Sequence, residues 1–154
     1  MAQRPYFPLF VDLSEKKVLV VGGGKVAKRR IGTLTAFTGD LTVITPERDA
    51  WLDEQEQQGL IRVRYKYYER EDLYGADLVI AATSDSRVNE DIHAACKCLG
   101  IPVNISSDRT RCDFYFPGIA RKDPLVVGVT AGGRDHGLCA RMTRKLQEWL
   151  EGEE

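Results

Sequence analysis

The sequence predicts an α/β fold in which a doubly wound parallel sheet is followed by a small β-hairpin and one more helix. Three observations support this fold class. Short apolar runs alternate with helix-compatible segments as in successive βαβ units. A run of glycines follows the first apolar run directly, and the alternation stops after residue 112. The chain has 154 residues, enough to build one full core of this kind.

The elements of the parallel sheet follow from the apolar runs and the turn residues between them. Strands are expected where a short apolar run is bounded by turn residues, and helices where apolar residues recur every three or four positions. Pro46 opens the second helix, Gly59 closes it, and Gly100 ends the third. We expect strands at 18–21, 41–44, 61–65, 77–82 and 102–105, helices at 25–37, 48–58 and 87–99, and a short turn or helix at 70–74.

The pattern changes in the last third of the chain. Two apolar runs follow one another with no helix between them, which predicts a hairpin. Gly132 and Gly133 then break the chain before a basic amphipathic helix. We expect strands at 114–116 and 125–130, a polar turn at 120–124 and a helix at 139–151. A short β unit and an amphipathic helix added to a small domain indicate a dimerisation segment.

The glycine turn is the strongest functional signal in the chain. It follows strand 18–21 and consists of Gly22, Gly23, Gly24, Lys25, Val26 and Ala27. In such a turn the first glycine permits tight backbone geometry, a later glycine lets the backbone approach a pyrophosphate, and the small alanine lets helix and strand pack closely. The helix start offers N–H groups and a positive dipole end. The pattern therefore predicts a dinucleotide on a Rossmann-like fold, although three glycines also occur in purely flexible turns.

Other strand ends carry candidate cofactor ligands, because ligands of open α/β sheets lie beyond the carboxyl ends of the strands. Glu47 follows Pro46 after the second strand, where an acid accepts hydrogen bonds from the adenosine ribose. Glu47 is equally explained as an exposed acid at a helix start, and Arg48 could instead bind a 2′-phosphate. Thr83 and Asn104 end the next two strands. On this pattern NAD is favoured over NADP.

Composition excludes several classes of function. The charges balance, with 22 basic against 23 acidic residues, which gives no argument for binding to nucleic acid or a membrane. No apolar stretch approaches the ~20 residues needed to span a bilayer, and no signal-peptide core follows the N-terminus, so we expect a cytoplasmic protein. Cys96 and Cys98 point about 200° apart on a helix and cannot share an ion with His93. Free thiols and no metal site are expected.

Several segments match a known pattern in order and spacing, and together they cover nearly the whole chain. These segments are 7–13, 18–27, 81–85, 88–89, 103–105, 112–117, 124–133 and 140–141. The chain thereby resembles the NAD-binding domain of siroheme synthase. That domain is a precorrin-2 dehydrogenase and, in some members, also a sirohydrochlorin ferrochelatase.

The resemblance implies a homodimer that transfers a hydride from precorrin-2, a tetrapyrrole, to NAD⁺, giving sirohydrochlorin and NADH. It implies an NAD-binding domain over residues 1–112 and a dimerisation segment over 113–154, with the family's C-terminal helical domain largely absent. The residues implied at the cofactor are Gly22, Gly24, Lys25 and Val26 at the pyrophosphate, Pro46 and Glu47 at the adenosine end, and Thr83 and Asn104 on the nicotinamide side.

The catalytic position departs from the family pattern. The family carries an aspartate, assigned as the base, three residues after the asparagine that corresponds to Asn104. Strict alignment puts Ser107 there, and a neutral serine is a poor proton acceptor. A one-residue bulge would bring Asp108 into place; alternatively, Asp108 caps the following turn. Dehydrogenation needs mainly orientation of the substrate and is expected, whereas iron insertion stays uncertain.

Basic residues near the C-terminus are candidates for binding the substrate, because precorrin-2 is fringed with carboxylates. The candidates are Arg109, Arg111, Arg134 and Arg141, any of which is alternatively a surface residue. His136 is a candidate proton carrier or iron ligand, or a polar surface residue. The alternative function is a non-catalytic, NAD-responsive dimeric binding module, which keeps the glycine turn and needs no base.

Overall fold

The computed structural model describes residues 4–153, which fall into two compact units. The first unit comprises residues 11–114, and the second comprises residues 4–10 together with 115–153. The predicted nucleotide domain, residues 1–112, includes the first ten residues, whereas the structure groups residues 4–10 with the C-terminal unit. One reason is that the rings of Tyr6 and Tyr115 lie in contact, with centroids 4.2 Å apart.

The first unit has five strands and three α-helices. The strands are β1 (Lys17–Val21), β2 (Asp40–Thr45), β3 (Arg62–Tyr65), β4 (Leu78–Ala81) and β5 (Val103–Ile105). The α-helices are α1 (Lys25–Leu34), α2 (Ala50–Gln57) and α3 (Ser86–Leu99). Short 3₁₀ helices cover Arg70–Leu73 and Arg109–Arg111.

All five strands are parallel, in the order β3-β2-β1-β4-β5, which confirms the predicted doubly wound α/β fold. The register aligns their ends: Val21 pairs with Ile44 on one side and with Ala81 on the other, and Ala81 pairs with Ile105. Right-handed crossovers place α1 and α2 on one face and α3 on the other. The loops that follow β1, β2, β4 and β5 therefore share one edge of the sheet, here called the carboxyl edge.

The core of this unit lies on both faces of the sheet. Central strand residues such as Val20, Val43 and Ile80 are completely buried, as expected when helices cover both faces of a parallel sheet. The helices supply Ala27, Ile31 and Leu34 from α1 and Ile92, Ala95 and Cys96 from α3. This packing fixes the beginnings of α1 and α3 at the carboxyl edge.

Helix bounds differ slightly from the expected ones, for local reasons. α1 ends at Leu34 rather than at residue 37, because Phe37 donates its N–H to the Leu34 carbonyl in a tighter turn. α2 begins at Ala50 rather than at residue 48, because the Asp49 carboxylate accepts from the N–H groups of Trp51 and Leu52 and caps the helix.

The second unit contains the predicted hairpin and helix. It is built from antiparallel strands β6 (Gly118–Lys122) and β7 (Leu125–Val129) and from helix α4 (His136–Gly152). The strand predicted at 114–116 and the turn predicted at 120–124 were wrong: Lys122 pairs with Leu125, so the turn is only Asp123 and Pro124. The charged residues that suggested a loop are exposed on β6.

Two local contacts explain these shifts. The N–H of Asp113 donates to the carbonyl of Val103, so the residues before Tyr115 are attached to β5 instead of to the hairpin. α4 begins earlier than the predicted residue 139, because Asp135 accepts from the N–H of Leu138. Within residues 4–153 no helix is long and apolar enough to cross a bilayer. All four cysteines are free thiols, as predicted.

Candidate functional site

The glycine turn joins β1 to α1 at the carboxyl edge, where β1 and β4 lie side by side. Gly22 has φ +121°, and a Cβ on it would lie 2.6 Å from the carbonyl carbon of Ala82. A Cβ on Gly23 would lie 2.9 Å from Oγ1 of Thr45. Gly22 therefore accepts only glycine, because both its φ and the Ala82 backbone exclude a side chain, whereas a Cβ on Gly23 would crowd the Thr45 side chain. Gly24 differs, because a Cβ there would meet nothing within 4 Å.

The open space at Gly24 lies at the beginning of α1. Gly24 is the residue before the helix, and no side chain caps the N–H groups of the first turn. Of the four α-helices in residues 4–153, α1 alone lacks such a cap, because Asp49, Asp85 and Asp135 cap α2, α3 and α4. Uncapped N–H groups at the positive end of a helix dipole are the donors that bind a pyrophosphate. These residues fit a dinucleotide.

The end of β2 carries the candidates for the adenosine end. Pro46 and Glu47 are both exposed. The guanidinium of Arg48 lies over the ring of Tyr65, with 4.8 Å between Cζ and the centroid, a cation–π arrangement. Next to it, Lys28 Nζ donates to Asp49 Oδ2 at 2.7 Å, and this bond chiefly lowers the pKa of Asp49. The Arg48 guanidinium is thus in contact with an aromatic ring, while Glu47 is exposed to solvent.

Thr83 organises the turn between β4 and α3. Its hydroxyl lies 2.7 Å from Oδ1 of Asn89 and 2.9 Å from the carbonyl of Asp85, and it accepts from the Asp85 N–H at 3.2 Å. The hydroxyl hydrogen of Thr83 is thus used within the protein. Its contribution to the site is to shape the turn.

Asn104, at the end of β5, is 3% exposed, and both ends of its amide are occupied. Its Nδ2 donates to the carbonyl of Phe114 at 2.8 Å, and its Oδ1 accepts from Nη1 of Arg30 on α1. Burial lowers the pKa of Arg30 to about 10, the neighbouring charge of Arg29 adding to the effect, and the guanidinium stays protonated at neutral pH. Asn104 therefore joins α1 to the segment after β5.

The structure shows the capping alternative for Asp108. Oδ1 of Asp108 accepts from the N–H of Thr110 at 2.9 Å and from its hydroxyl at 2.6 Å, and the 3₁₀ helix Arg109–Arg111 begins there. These bonds, together with the charge of Arg111, lower the pKa of Asp108. Ser107 is exposed, and its Oγ lies 3.4 Å from Nδ2 of Asn89. The two candidate catalytic residues thus follow β5 directly at the carboxyl edge.

The other residues singled out from the sequence divide between the units. Arg111 lies in the first unit with Nε 3.3 Å from Oδ2 of Asp108, and Arg109 precedes it. Arg134, Arg141 and His136 are exposed in the second unit. That unit has an open cleft of about 350 Å³, lined by Arg4, Pro5, Tyr6, Tyr115, Thr130, Ala131, Gly132 and Arg134.

Arg30 and Asn89 were not among the site residues predicted from the sequence. Both are polar residues on the apolar stripe of a helix: Asn89 precedes Ile92 and Cys96 on α3, and Arg30 lies between Ala27 and Leu34 on α1. A polar residue on a buried stripe is the signal that could have marked them, since a buried polar side chain requires partners.

The fold and the uncapped glycine turn define a Rossmann-type dinucleotide-binding protein. A family model described as "Putative NAD(P)-binding" matches residues 9–118. The chain belongs to this NAD(P)-binding family. The predicted class of cofactor, a nicotinamide dinucleotide, is confirmed.

The chain is also similar to proteins of siroheme biosynthesis. It is 41% identical over 143 residues to "Probable multifunctional siroheme biosynthesis protein HemA" of Ruminiclostridium josui, covering 92% of this chain and 28% of that protein. It is 38% identical over 142 residues to the siroheme synthase of Methylococcus capsulatus, covering 92% of this chain and 30% of that protein. The resemblance found in the sequence is thereby confirmed, and the chain spans less than a third of these relatives.

A solved structure matches the fold as well. "SirC, precorrin-2 dehydrogenase" superposes with a TM-score of 0.81 at 28% identity, over 93% of this chain and 70% of that chain. The predicted combination of a Rossmann-like sheet, hairpin and helix is therefore a known architecture.

Proposed function

We propose that this chain oxidises precorrin-2 to sirohydrochlorin, with NAD⁺ as hydride acceptor, in siroheme biosynthesis. The observation that carries the proposal is the uncapped beginning of α1 behind Gly22, Gly23 and Gly24, at the point where strand order reverses between β1 and β4. The similarity to siroheme biosynthesis proteins and to a precorrin-2 dehydrogenase supports the choice of substrate. Iron insertion is not part of the proposal.

The residues of the chain bind and orient the reactants, while NAD supplies the hydride acceptor when bound. The backbone from Gly22 to Val26, with Lys25 in the first turn, is proposed to hold the pyrophosphate. Pro46 and Glu47 are proposed to face the adenosine. Thr83 and Asn104 are proposed to shape the nicotinamide side through their internal hydrogen bonds, because both side chains are engaged within the protein.

NAD is proposed over NADP. Glu47 is exposed at the end of β2, and a carboxylate there accepts from ribose hydroxyls and repels a 2′-phosphate. Arg48, the alternative phosphate ligand, lies over the Tyr65 ring. Calorimetric titration with both nucleotides tests this choice. We expect Glu47→Gln to narrow the preference for NAD, and equal affinities in the unchanged protein would contradict it.

Dehydrogenation also releases a proton, for which we propose Asp108 as acceptor. It is the first carboxylate after β5, and its lowered pKa keeps it ionised at neutral pH. Asp108→Asn tests this role cleanly, because an asparagine oxygen can still cap the 3₁₀ helix while the charge is lost. We expect turnover to fall by about 10²- to 10⁴-fold, the typical effect of removing a general base, with unchanged NAD affinity. Unchanged turnover would remove Asp108 from the mechanism.

A homodimer is proposed, with its interface in the second unit. This unit exposes large apolar side chains: Phe7 is 85% exposed, Phe10 72% and Trp149 58%. Large apolar side chains left exposed in this way are candidates for burial in an interface. We accordingly propose that residues 11–112 bind the nucleotide and that residues 113–154, together with residues 4–10, form the dimer interface. Sedimentation at several concentrations tests the dimer, and a monomer at micromolar concentration would contradict it.

A cytoplasmic location is proposed as well. Four free cysteines support it, because thiols stay reduced in that compartment.

The decisive experiment incubates the pure protein anaerobically with precorrin-2 and NAD⁺. We expect NADH absorbance and the sirohydrochlorin spectrum to appear together, in equal amounts. NAD binding without turnover would instead favour the non-catalytic binding module. Gly24→Asp serves as the matched control, because it is expected to remove nucleotide binding while keeping the fold.

A further inference from the structure

Asn89 connects the two loops that carry candidate site residues on the β4–β5 side of the carboxyl edge. It lies on α3, is 3% exposed, and contacts both Thr83 after β4 and Ser107 after β5. We propose that Asn89 is a positioning residue that turns the Ser107 hydroxyl into a hydrogen-bond donor facing the site. Its catalytic meaning rests on the proposed function.

The contacts with Thr83 fix which end of the Asn89 amide faces which way. The backbone N–H of Thr83 can only donate, and it lies 3.3 Å from Oδ1 of Asn89. The carbonyl oxygen of Thr83 can only accept, and it lies 3.1 Å from Nδ2. A flipped amide would set the NH₂ group against the N–H of Thr83 and the amide oxygen against the Thr83 carbonyl, so neither hydrogen bond could form. The NH₂ group must therefore occupy the side of the amide that faces Ser107.

This orientation decides the role of Ser107. Because Nδ2 of Asn89 has no lone pair to offer, Oγ of Ser107 accepts at 3.4 Å and cannot donate in that direction. The Ser107 hydrogen is directed to another partner, and the residue is exposed. The partner that fits is a carbonyl-type oxygen: the carboxamide of the nicotinamide or a carboxylate of the tetrapyrrole. Ser107 thus serves as an orienting donor, and the proton is accepted elsewhere.

The Asn89 amide also connects the Ser107 hydroxyl to the turn after β4 that carries Thr83. Oδ1 of Asn89 also accepts from the Thr83 hydroxyl at 2.7 Å, so the turn after β4 and the loop after β5 share one buried anchor. A shift of the turn after β4 would break its three bonds with Asn89, and a shift of the loop after β5 would break the bond with Ser107. The two strand ends on this side of the site are therefore linked through one buried side chain.

Asparagine-selective ¹⁵N labelling tests the geometry without any turnover. The chain has two asparagines, Asn89 and Asn104, so two side-chain NH₂ groups will be observed and Asn104 acts as an internal reference. We expect Ser107→Ala to move one Nδ2 proton of Asn89 upfield and to leave Asn104 unchanged. Ser106→Ala is the matched control, because the buried Oγ of Ser106 makes no hydrogen bond within the described residues. Identical Asn89 signals in Ser107→Ala and the unchanged protein would overturn the proposal.

Kinetics of the protein then test the role. We expect Asn89→Ala and Ser107→Ala each to lower kcat by about five- to tenfold, the effect of one hydrogen bond. NAD affinity falls in parallel if the nicotinamide carboxamide accepts this bond, and it is preserved if a tetrapyrrole carboxylate does. The double variant should be no slower than either single variant, since Asn89 acts through the Ser107 hydroxyl. Multiplying losses would overturn the coupling. If Asn89→Ala does not fold, the NMR comparison of Ser107→Ala with the unchanged protein still tests the Asn89–Ser107 hydrogen bond. A protein that binds NAD but does not oxidise precorrin-2 would refute the proposed function and leave this hydrogen bond unaffected.

Discussion

Helices α1 and α3 begin at the same carboxyl edge, after neighbouring strands β1 and β4 and on opposite faces of the sheet, yet they begin in different ways. α3 is capped by the Asp85 side chain, which accepts from the N–H of Arg87. α1 begins at Gly24 with no side-chain cap and no acid in its first turn. Both have similar buried stripes, so packing does not account for the difference. The open N–H groups of α1 are the ones proposed to bind the pyrophosphate.

The two helices are alike in another respect, because each sends a polar residue back to the end of the sheet. Arg30 of α1 binds Asn104 in β5, and Asn89 of α3 binds Thr83 and Ser107. Helix α1 is thus attached to β5, and helix α3 is attached to the candidate catalytic loop that follows it. Loops carrying site residues are held here by buried amides, which limits their freedom.

The largest effect is expected where the turn before α1 contacts the turn before α3. Gly22→Ala places a methyl group against the Ala82 carbonyl at a φ of +121°, which alanine rarely adopts. We expect a loss of about 2–4 kcal/mol in the free energy of unfolding, measured in urea, and no detectable NAD binding. Unchanged stability would show that the turn before α3 yields easily. The carboxyl edge would then be less rigid than the close contact between Gly22 and Ala82 indicates.

Gly24→Asp converts the beginning of α1 into that of α3. The space at Gly24 is open and its backbone is extended, so an aspartate can cap the helix as Asp85 does. We expect stability to rise by about 0.5 kcal/mol, while NAD affinity falls by about 100-fold through repulsion of the pyrophosphate. Calorimetry measures both quantities on one sample. Retained NAD affinity would place the phosphates elsewhere.

Arg30→Met tests the attachment of α1 to β5. The substitution keeps a long side chain on the apolar stripe but leaves the buried Oδ1 of Asn104 without this donor. We expect the free energy of unfolding to fall by about 1–3 kcal/mol, the usual effect of losing a charged hydrogen bond to a buried acceptor. Arg30→Lys is the control and should recover part of the loss. Equal stability of the methionine variant would mean that burying the guanidinium costs about as much as its bond contributes.

The sequence was sufficient to predict the elements whose cause is local. β1, the glycine turn and the end of α3 follow from an apolar run, from Gly22 and from Gly100, and all three are found in the structure. The hairpin was misplaced because its strands are short and carry charges on an exposed face, so the pattern of Arg121 and Lys122 resembled a turn. Periodicity cannot distinguish an exposed strand from a loop.

The candidate site was less predictable, because its side chains meet across the sheet. Gly22 to Val26 form one local motif and were recognised, whereas the partners of Asn104 and Ser107 come from α1 and α3. For Asp108 the sequence left a bulge and a cap as alternatives, and only the bonds with Thr110 distinguish them. Local chemistry is readable from one sequence; the pairing of distant polar groups requires the fold.

Asp85→Ala gives the smallest effect and is the mirror of the Gly24 substitution. It removes the cap of α3 but not the turn, since Thr83 still accepts from the N–H of residue 85 and binds Asn89. We expect a loss of about 1 kcal/mol in the free energy of unfolding and NAD affinity within about twofold of the unchanged protein. Higher NAD affinity of Asp85→Ala would contradict this view, because the open N–H groups of α3 would then compete with those of α1 for the pyrophosphate. The uncapped beginning of α1 would no longer be the feature that selects the phosphate site.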